Sequence, residues 1–374
     1  MHYFDHNATT PVSPEVLAAM LPVMTEVYGN ASSVHRFGQA ARHKLDDARK
    51  WVAAMLGASP EEIVFTSGGT EGDNHALIGT ARNGHAITTT VEHPAVLGAG
   101  DQLAAVTRVR VDSRGIVDPD EIRRALRPDT KIISVMHANN ELGVIQPLAE
   151  IARIAAEAGV FLHSDGVQAA GKIAVNVRAL GVDFYAITGH KFYAPKGVGA
   201  LYIRKGAEIA PLLHGGHHER DRRAGTENVA GAVGLGRAAQ WVLEDGPAEW
   251  TREAALRDRL EKGIHDRVAG AHVNGAGAPR TPNTSNIRFD GIDSDALLIA
   301  LDLRGFAVSS GAACSSGATE PSHVLTAIGL TKEQAKSSIR FSLGRSNSAE
   351  DVDALIAAVV LSVAHLRKLA PAYA

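Results

Sequence analysis

From about Glu61 to Ile203 the chain alternates short apolar, β-branched runs with stretches whose apolar residues recur every three or four positions. Residues 63–66, 86–89, 108–111, 131–136, 160–164 and 183–188 read as strands, whereas 119–126 and 147–158 carry the helical period. Such alternation predicts a mainly parallel sheet covered by helices on both faces. The near-continuous apolar run 132–136 suits a strand buried on both sides. Residues 198–203 follow the 183–188 strand after a short gap and are expected to pair with it antiparallel, as a hairpin.

Beyond Ile203 the pattern changes. Residues 229–268 are strongly helical and should bridge to a second unit, in which the small-residue run 275–279 marks a loop. A strand at 285–289, a helix at 294–303 and a strand around 339–342 follow. The last helix shows one apolar face through Val352, Leu355, Ile356, Val359, Val360 and Val363. Ser348, with Asp351 three residues on, fits a capping box for it. The tail after Leu369 is small and Pro-containing, and is expected to fray.

At 374 residues the chain can bury more than one core. Its 38 basic and 41 acidic residues leave a net charge of −3, which gives no general attraction to nucleic acid or to an anionic membrane. No apolar run is long enough to span a bilayer and the first residues show no signal-peptide pattern, so a cytoplasmic protein is expected. The single cysteine, Cys314, excludes an internal disulfide and any site built from several thiolates of one chain. The 17 histidines are scattered, and His217 and His218 are adjacent rather than one helical turn apart, so no metal is expected.

The strand at 183–188 ends in Gly189-His190-Lys191, and the neighbouring apolar run ends in Asp165. Two strand ends thus deliver an amine and a carboxylate. A lysine able to form a Schiff base, with an aspartate to hold a pyridinium nitrogen, is what pyridoxal phosphate asks of a protein. Either residue alone would fit a solvated lysine or a turn carboxylate. Ser67-Gly68-Gly69-Thr70 follows another strand end and opens a helix, a geometry that turns backbone N–H groups and a helix dipole toward an anion. Alone it is also a common turn, but ligands of open α/β sheets sit at the carboxyl ends of strands, where all three features fall.

Other positions admit two readings. Cys314 lies in a run of ten small or polar residues, 309–318, which suits an accessible thiol on a mobile segment better than a buried small hydrophobe. Arg340, set between Ile339 and Phe341 in a strand, needs an anion, either a structural carboxylate or that of a substrate. His93 could stack on an aromatic ring or cap the helix after Pro94. Asn139 and Asn140 follow a strand end, where Asn also serves turns.

The motifs, taken together, resemble the group I cysteine desulfurases of the NifS/IscS type, in the class V aminotransferase family of fold-type I pyridoxal phosphate enzymes. The likeness runs nearly end to end. It covers Asp5-His6-Asn7-Ala8-Thr9-Thr10-Pro11, Tyr28-Gly29-Asn30-Ala31-Ser32-Ser33, Phe65-Thr66-Ser67-Gly68-Gly69-Thr70-Glu71 and Val91-Glu92-His93. It continues through His137-Ala138-Asn139-Asn140-Glu141-Leu142-Gly143, Thr188-Gly189-His190-Lys191, Arg223-Ala224-Gly225-Thr226-Glu227-Asn228, Ser309-Ser310-Gly311-Ala312-Ala313-Cys314 and Ser338-Ile339-Arg340-Phe341-Ser342-Leu343-Gly344-Arg345.

The resemblance implies an α/β fold with a mainly parallel seven-stranded sheet in a large domain, residues 15–255. A smaller α+β domain, from 1–14 and 256–374, would carry a mobile cysteine loop at about 309–320. It implies pyridoxal phosphate linked to Lys191, with Asp165 on the ring nitrogen, Gln168 on the ring hydroxyl and His93 stacked on the ring and aiding proton transfer. Gly69, Thr70, Thr188 and His190 would hold the phosphate, joined by Thr226 from the partner of a homodimer. Asn140 and Arg340 would bind the substrate carboxylate. The implied reaction converts L-cysteine to L-alanine and leaves the sulfur on Cys314 as a persulfide, for a scaffold or thiolation protein in iron–sulfur assembly or related pathways. The alternatives are a C–S or selenocysteine lyase that releases the chalcogen, and a cofactor-binding scaffold that only docks partners. Gly72 (where Ser is frequent), Gly166 (Ala), Pro94 (Lys or His) and the His217-His218 pair depart from the commonest pattern of that family.

Overall fold

The computed structural model describes residues 1–311 and 321–369. The chain opens with a short strand, β1 (His2–Tyr3), and helices α1 (Pro14–Thr25) and α2 (Arg36–Leu56). There follow β2 (Ile63–Thr66), α3 (Gly69–Ala81), β3 (His85–Thr89), α4 (Pro94–Gly100), β4 (Ala105–Val109) and α5 (Pro119–Ala125). Next come β5 (Thr130–Ser134), α6 (Leu148–Ala158), β6 (Phe161–Asp165), α7 (Val177–Leu180), β7 (Phe184–Thr188) and β8 (Gly199–Ile203).

These strands form one seven-stranded sheet in the order β2-β8-β7-β6-β5-β3-β4. Only β8 runs antiparallel to its neighbours; it pairs with β7 as the hairpin the sequence predicts, and with β2 on its other side. Successive residues of the central strands enter opposite cores, as the pleat requires. Tyr185 and Ile187 pack with Leu45, Val52 and Ile151 on one face, while Phe184 and Ala186 pack with Leu77 and Val96 on the other. Two covered faces explain why these segments read as unbroken apolar runs rather than alternating ones.

The expected strand at 108–111 starts earlier, at Ala105, because Arg110 and Val111 leave the ladder; Val111 instead bridges Val117. The run 131–136 stops pairing as a strand at Ser134, and the Met136 N–H turns to the Glu92 carboxylate.

Helix α8 (Val229–His265) joins the two parts of the molecule. Its Leu235, Ala239 and Val242 belong to the core of the large sheet, whereas Leu256, Leu260 and Ile264 belong to a second core. That second core is built by β9 (Ala271–Val273), β10 (Thr284–Phe289), α9 (Ser294–Asp302) and β11 (Phe306–Ala307), with β12 (Ser338–Ser342) and α12 (Ala349–Leu369), whereas α10 (His323–Ala327) and α11 (Lys332–Ala335) pack in a smaller cluster with Val91, Leu142 and Val144. Strands β12, β10 and β9 form an antiparallel sheet, and β1 returns from the N-terminus to pair parallel with β11. In α12 the side chains of Val352, Leu355, Ile356, Val359 and Val363 are buried. The expected capping box is present: Ser348 Oγ accepts from Asp351 N at 3.1 Å, and Asp351 Oδ2 accepts from Ser348 N at 2.9 Å. Among the described residues no helix is long and apolar enough to cross a membrane.

Candidate active site

The carboxyl ends of β2, β6 and β7 and the start of α3 converge on a cavity of about 550 Å³. Gly69, Thr70, His93, Asn140, Asp165, Gln168, Thr188, His190, Lys191 and Arg340, singled out above, all line it. Thr226 does not. It is exposed and lines a smaller cavity of about 150 Å³, which shares Ser67 and Gly197 with the larger one. Cys314 lies outside the described residues, as do the other positions of 312–320, although Gly311 lines the main cavity.

Lys191 ends a one-turn 3-10 helix, Gly189–Lys191, that caps β7. Its Nζ donates to the carbonyl oxygens of Asn7 (2.6 Å) and Ala8 (2.8 Å). The N-terminal segment is thereby part of the site, and Thr10 N donates to the His190 carbonyl (2.8 Å) to hold the same turn. At the end of β6, Asp165 Oδ1 accepts from Val167 N at 2.9 Å. Burial pushes its carboxyl above the usual range, while His93 and Lys191 pull it back down. A buried carboxylate so placed is a strong attractor for a cationic N–H. His190 is driven the other way, to about 4, by burial and by Lys191, Lys196 and Lys172, so its ring is neutral at physiological pH.

The opposite end of the cavity is suited to an anion. Gly68 caps α3 with no side-chain bond to the first-turn N–H groups. A Cβ on Gly69 would lie 2.5 Å from Val167 Cγ2, so only glycine lets backbone and cavity wall meet this closely. With thirteen residues behind it, the positive end of the helix faces the cavity beside Thr70 and Thr188.

His93 is the N-cap of α4: its Nδ1 accepts from Ala95 N at 3.1 Å, and Pro94 occupies the first helical position, where no N–H is needed. The cap and the cavity lining are therefore both true of this residue, and the bond places the proton of the neutral ring on Nε2. Arg340 likewise answers both readings. Its Nη2 donates to Asp5 Oδ1 (2.7 Å) and its Nη1 to the Asn140 carbonyl (3.0 Å), while its buried Nε has no hydrogen-bond partner among the described residues. A second anion is left with a donor to claim.

The departures from the commonest motifs have local causes. A Cβ on Gly166 would sit 2.0 Å from the Tyr185 ring, whose hydroxyl shares a 2.7 Å hydrogen bond with His137 Nδ1. The tyrosine thus takes the space an alanine would need. Gly72 faces Ala186, 3.0 Å from where its Cβ would be. His217 pairs with Asp221 on an exposed turn, and the turn is anchored by the buried bidentate pair of Arg49 and Glu219 (2.7 and 2.8 Å).

Motif reading missed Asp73 and the acid-rich floor of the cavity. Asp73 lines the cavity from α3, and burial followed by Asp165 and Glu92 pushes its carboxyl well above the usual range. Its Oδ1 lies 3.4 Å from His163 Nε2, and His163 is held neutral by burial, at about 3. Glu92, also fully buried, accepts from Thr89 Oγ1 (2.7 Å) and Met136 N (3.0 Å), yet burial still lifts it to about 8. With a folded-state value above the ordinary 4.5, the folded protein holds the proton more tightly than the unfolded chain. That stabilisation is full below pH 4.5 and is lost as the pH rises through about 8. Denaturant titrations at several pH values should show the unfolding free energy of wild type falling relative to Glu92→Gln across this window. A pH-independent difference would show that Glu92 is already ionised.

The chain matches the class V aminotransferase family model over residues 2–355. It is 45% identical to "Cysteine desulfurase IscS" of Dictyoglomus turgidum, over 99% of this chain and 96% of that one. Among solved structures, one titled "NIFS-LIKE PROTEIN" superposes with a TM-score of 0.91 at 38% identity, covering 98% of this chain and 100% of the other. Another, titled "SspA in complex with cysteine", gives 0.82 at 34% identity over 92% and 99%.

Proposed function

The chain belongs to the class V aminotransferase family, alongside cysteine desulfurases of the IscS and NifS-like kind, and from that premise we propose that it is a pyridoxal phosphate-dependent cysteine desulfurase. The observation that carries the reading is the meeting, in one cavity, of the Lys191 amine, the buried Asp165 carboxylate and the uncapped N-terminus of α3. Their chemistry fits an aromatic ring with an aldehyde, a basic ring nitrogen and a phosphate. Lys191 would hold the aldehyde carbon, Asp165 the ring nitrogen, Gln168 the ring hydroxyl, and His93 one face of the ring. Gly69, Thr70, Thr188 and His190 would hold the phosphate. Thr226, which does not line the main cavity of its own subunit, would reach the phosphate of a partner, which makes the working unit a homodimer.

When bound, pyridoxal phosphate supplies an electron sink for the pair left at the substrate Cα. This chain's residues do the rest. The Nε of Arg340, which has no hydrogen-bond partner among the described residues, fixes the substrate carboxylate together with the Asn140 amide. Lys191 removes the Cα proton. The Cys314 thiolate attacks the substrate sulfur; an S–S bond forms as the C–S bond breaks, the bonding pair stays with Cβ, which takes a proton, and Lys191 returns a proton to Cα. L-Cysteine and the enzyme thiol become L-alanine and an enzyme persulfide, with atoms and electrons balanced. The persulfide then passes its outer sulfur to an acceptor protein, in the cytoplasm.

Purified protein given L-cysteine should form alanine, with one sulfur atom appearing on Cys314 per alanine in the first turnover. Quantifying alanine, free sulfide and the mass of the peptide bearing Cys314 checks this. Sulfide released with no sulfur ever found on Cys314 would instead indicate a lyase.

A further inference from the structure

We infer that Lys172 is a positioning residue for the cofactor: it fixes the Gln168 carboxamide so that its NH2 group, rather than its oxygen, is presented to the cavity. This rests on pyridoxal phosphate being the bound group and extends that reading to a residue outside the cavity lining.

Lys172 lies four residues after Gln168 on the same turn and is buried behind the cavity wall. Its Nζ donates to Gln168 Oε1 and, at 2.7 Å, to Asn7 Oδ1. The other end of the amide, Gln168 Nε2, donates to the Asn7 carbonyl at 3.0 Å. Each partner permits only one orientation. A backbone carbonyl can only accept, so the NH2 group must face Asn7. The amine of Lys172 arrives as a donor, so the oxygen must face Lys172.

Asn7 is fixed by the same logic. Its Nδ2 donates to the Asn140 carbonyl (3.1 Å) and to Thr284 Oγ1 (2.9 Å), and Asn283 Nδ2 donates to its Oδ1 (3.1 Å). The Asn7 carbonyl that takes Gln168 also takes the Lys191 amine. One asparagine from the N-terminal segment thus aligns the Schiff-base lysine, the ring-hydroxyl amide and the substrate-binding Asn140.

An amide NH2 has two hydrogens. The Asn7 carbonyl uses one, and Gln168 lines the cavity, so the second serves the ligand. The site therefore offers a donor to the ring oxygen and favours its deprotonated form. Burial together with Lys191 and Arg340 lowers the Lys172 amine well below the ordinary range, against the pull of Glu253. The geometry does not depend on that charge, since a neutral amine still has two N–H groups for its two oxygen acceptors.

The test is a double-mutant cycle read in cofactor affinity, with Lys172→Met, Gln168→Leu and the pair. Apoproteins are titrated with pyridoxal phosphate, and their thermal unfolding is followed in parallel. Lys172→Met should raise Kd about tenfold, the scale of one buried hydrogen bond. It should lose most of its effect in the Gln168→Leu background, because it acts chiefly through that amide, its bond to Asn7 Oδ1 accounting for the remainder. Unchanged affinity in Lys172→Met, or effects that multiply in the pair, would overturn the inference while leaving the functional proposal standing. Failure of the wild type to bind pyridoxal phosphate would overturn the functional proposal itself. Should the Lys172→Met apoprotein not fold, Lys172→Gln, which retains an N–H donor, enters the same cycle: partial retention of affinity that vanishes with Gln168→Leu supports the assignment, and independence of Gln168 defeats it.

Discussion

Lys191→Ala is expected to abolish the visible absorbance between about 390 and 430 nm that a lysine-linked pyridoxal phosphate gives, and to cut alanine formation by more than about a thousandfold. Two functions are lost in one substitution. In the proposed scheme the amine is both the covalent anchor of the cofactor and the base that takes the substrate Cα proton. The variant should nevertheless fold. The Asn7 carbonyl keeps its 3.0 Å bond from Gln168, and the turn at 189–191 is still held by the bond from Thr10 N to the His190 carbonyl. The contacts proposed for the phosphate, Asp165 and Gln168 are left in place, so the apoprotein should still bind pyridoxal phosphate, now reversibly, and equilibrium dialysis should detect it. Turnover that persists together with a visible band would mean that another amine does this work. Lys172 and Lys196 are the amines nearby, and burial of Lys172 keeps it behind the wall.

The central sheet was legible because burial on both faces writes itself into the sequence as unbroken apolar runs, and β6, β7 and β8 fall where those runs do. The ends of β4 and β5 were less so, since a strand stops where its partner stops or where a side chain takes its N–H, as Glu92 does at Met136. Both are tertiary facts. Strands β1 and β11 are two residues each and pair across most of the chain's length, and no local pattern marks them. In the site, residues that follow strand ends were found from position alone. Asp73, Lys172 and Asn7 were not, because their importance lies in which buried atoms they face. A weak signal existed for Lys172: a lysine four residues from Gln168 in a small-residue turn has few places to go but inward. For Asn7, the quoted motif marked the segment without saying that its carbonyl would meet Lys191.

Cys314→Ala should retain the cofactor and its absorbance, bind cysteine, and form essentially no alanine. Every group that holds or deprotonates the substrate in the proposed scheme comes from the described cavity, and none of them is touched. What disappears is the nucleophile that accepts sulfur, and without it the C–S bond has no partner for its leaving atom. Gly311 lines the cavity, in a backbone conformation of φ +90° and with Glu141 against it, and the described chain resumes where Ser322 Oγ donates to the same Glu141 carboxylate at 2.6 Å. Cys314 is three residues past Gly311, and three residues span at most about 10 Å. In the proposed scheme the attacking thiol belongs to the same chain as the substrate site, so its attack is intramolecular, whereas an added dithiol must be captured from solution. Added dithiol should thus restore only a trace of alanine formation to Cys314→Ala, with free sulfide as its product. Wild-type rates in that variant would remove the thiol from the mechanism and favour elimination of sulfide from Cβ, while the roles of Lys191 and Asp165 would stand unchanged.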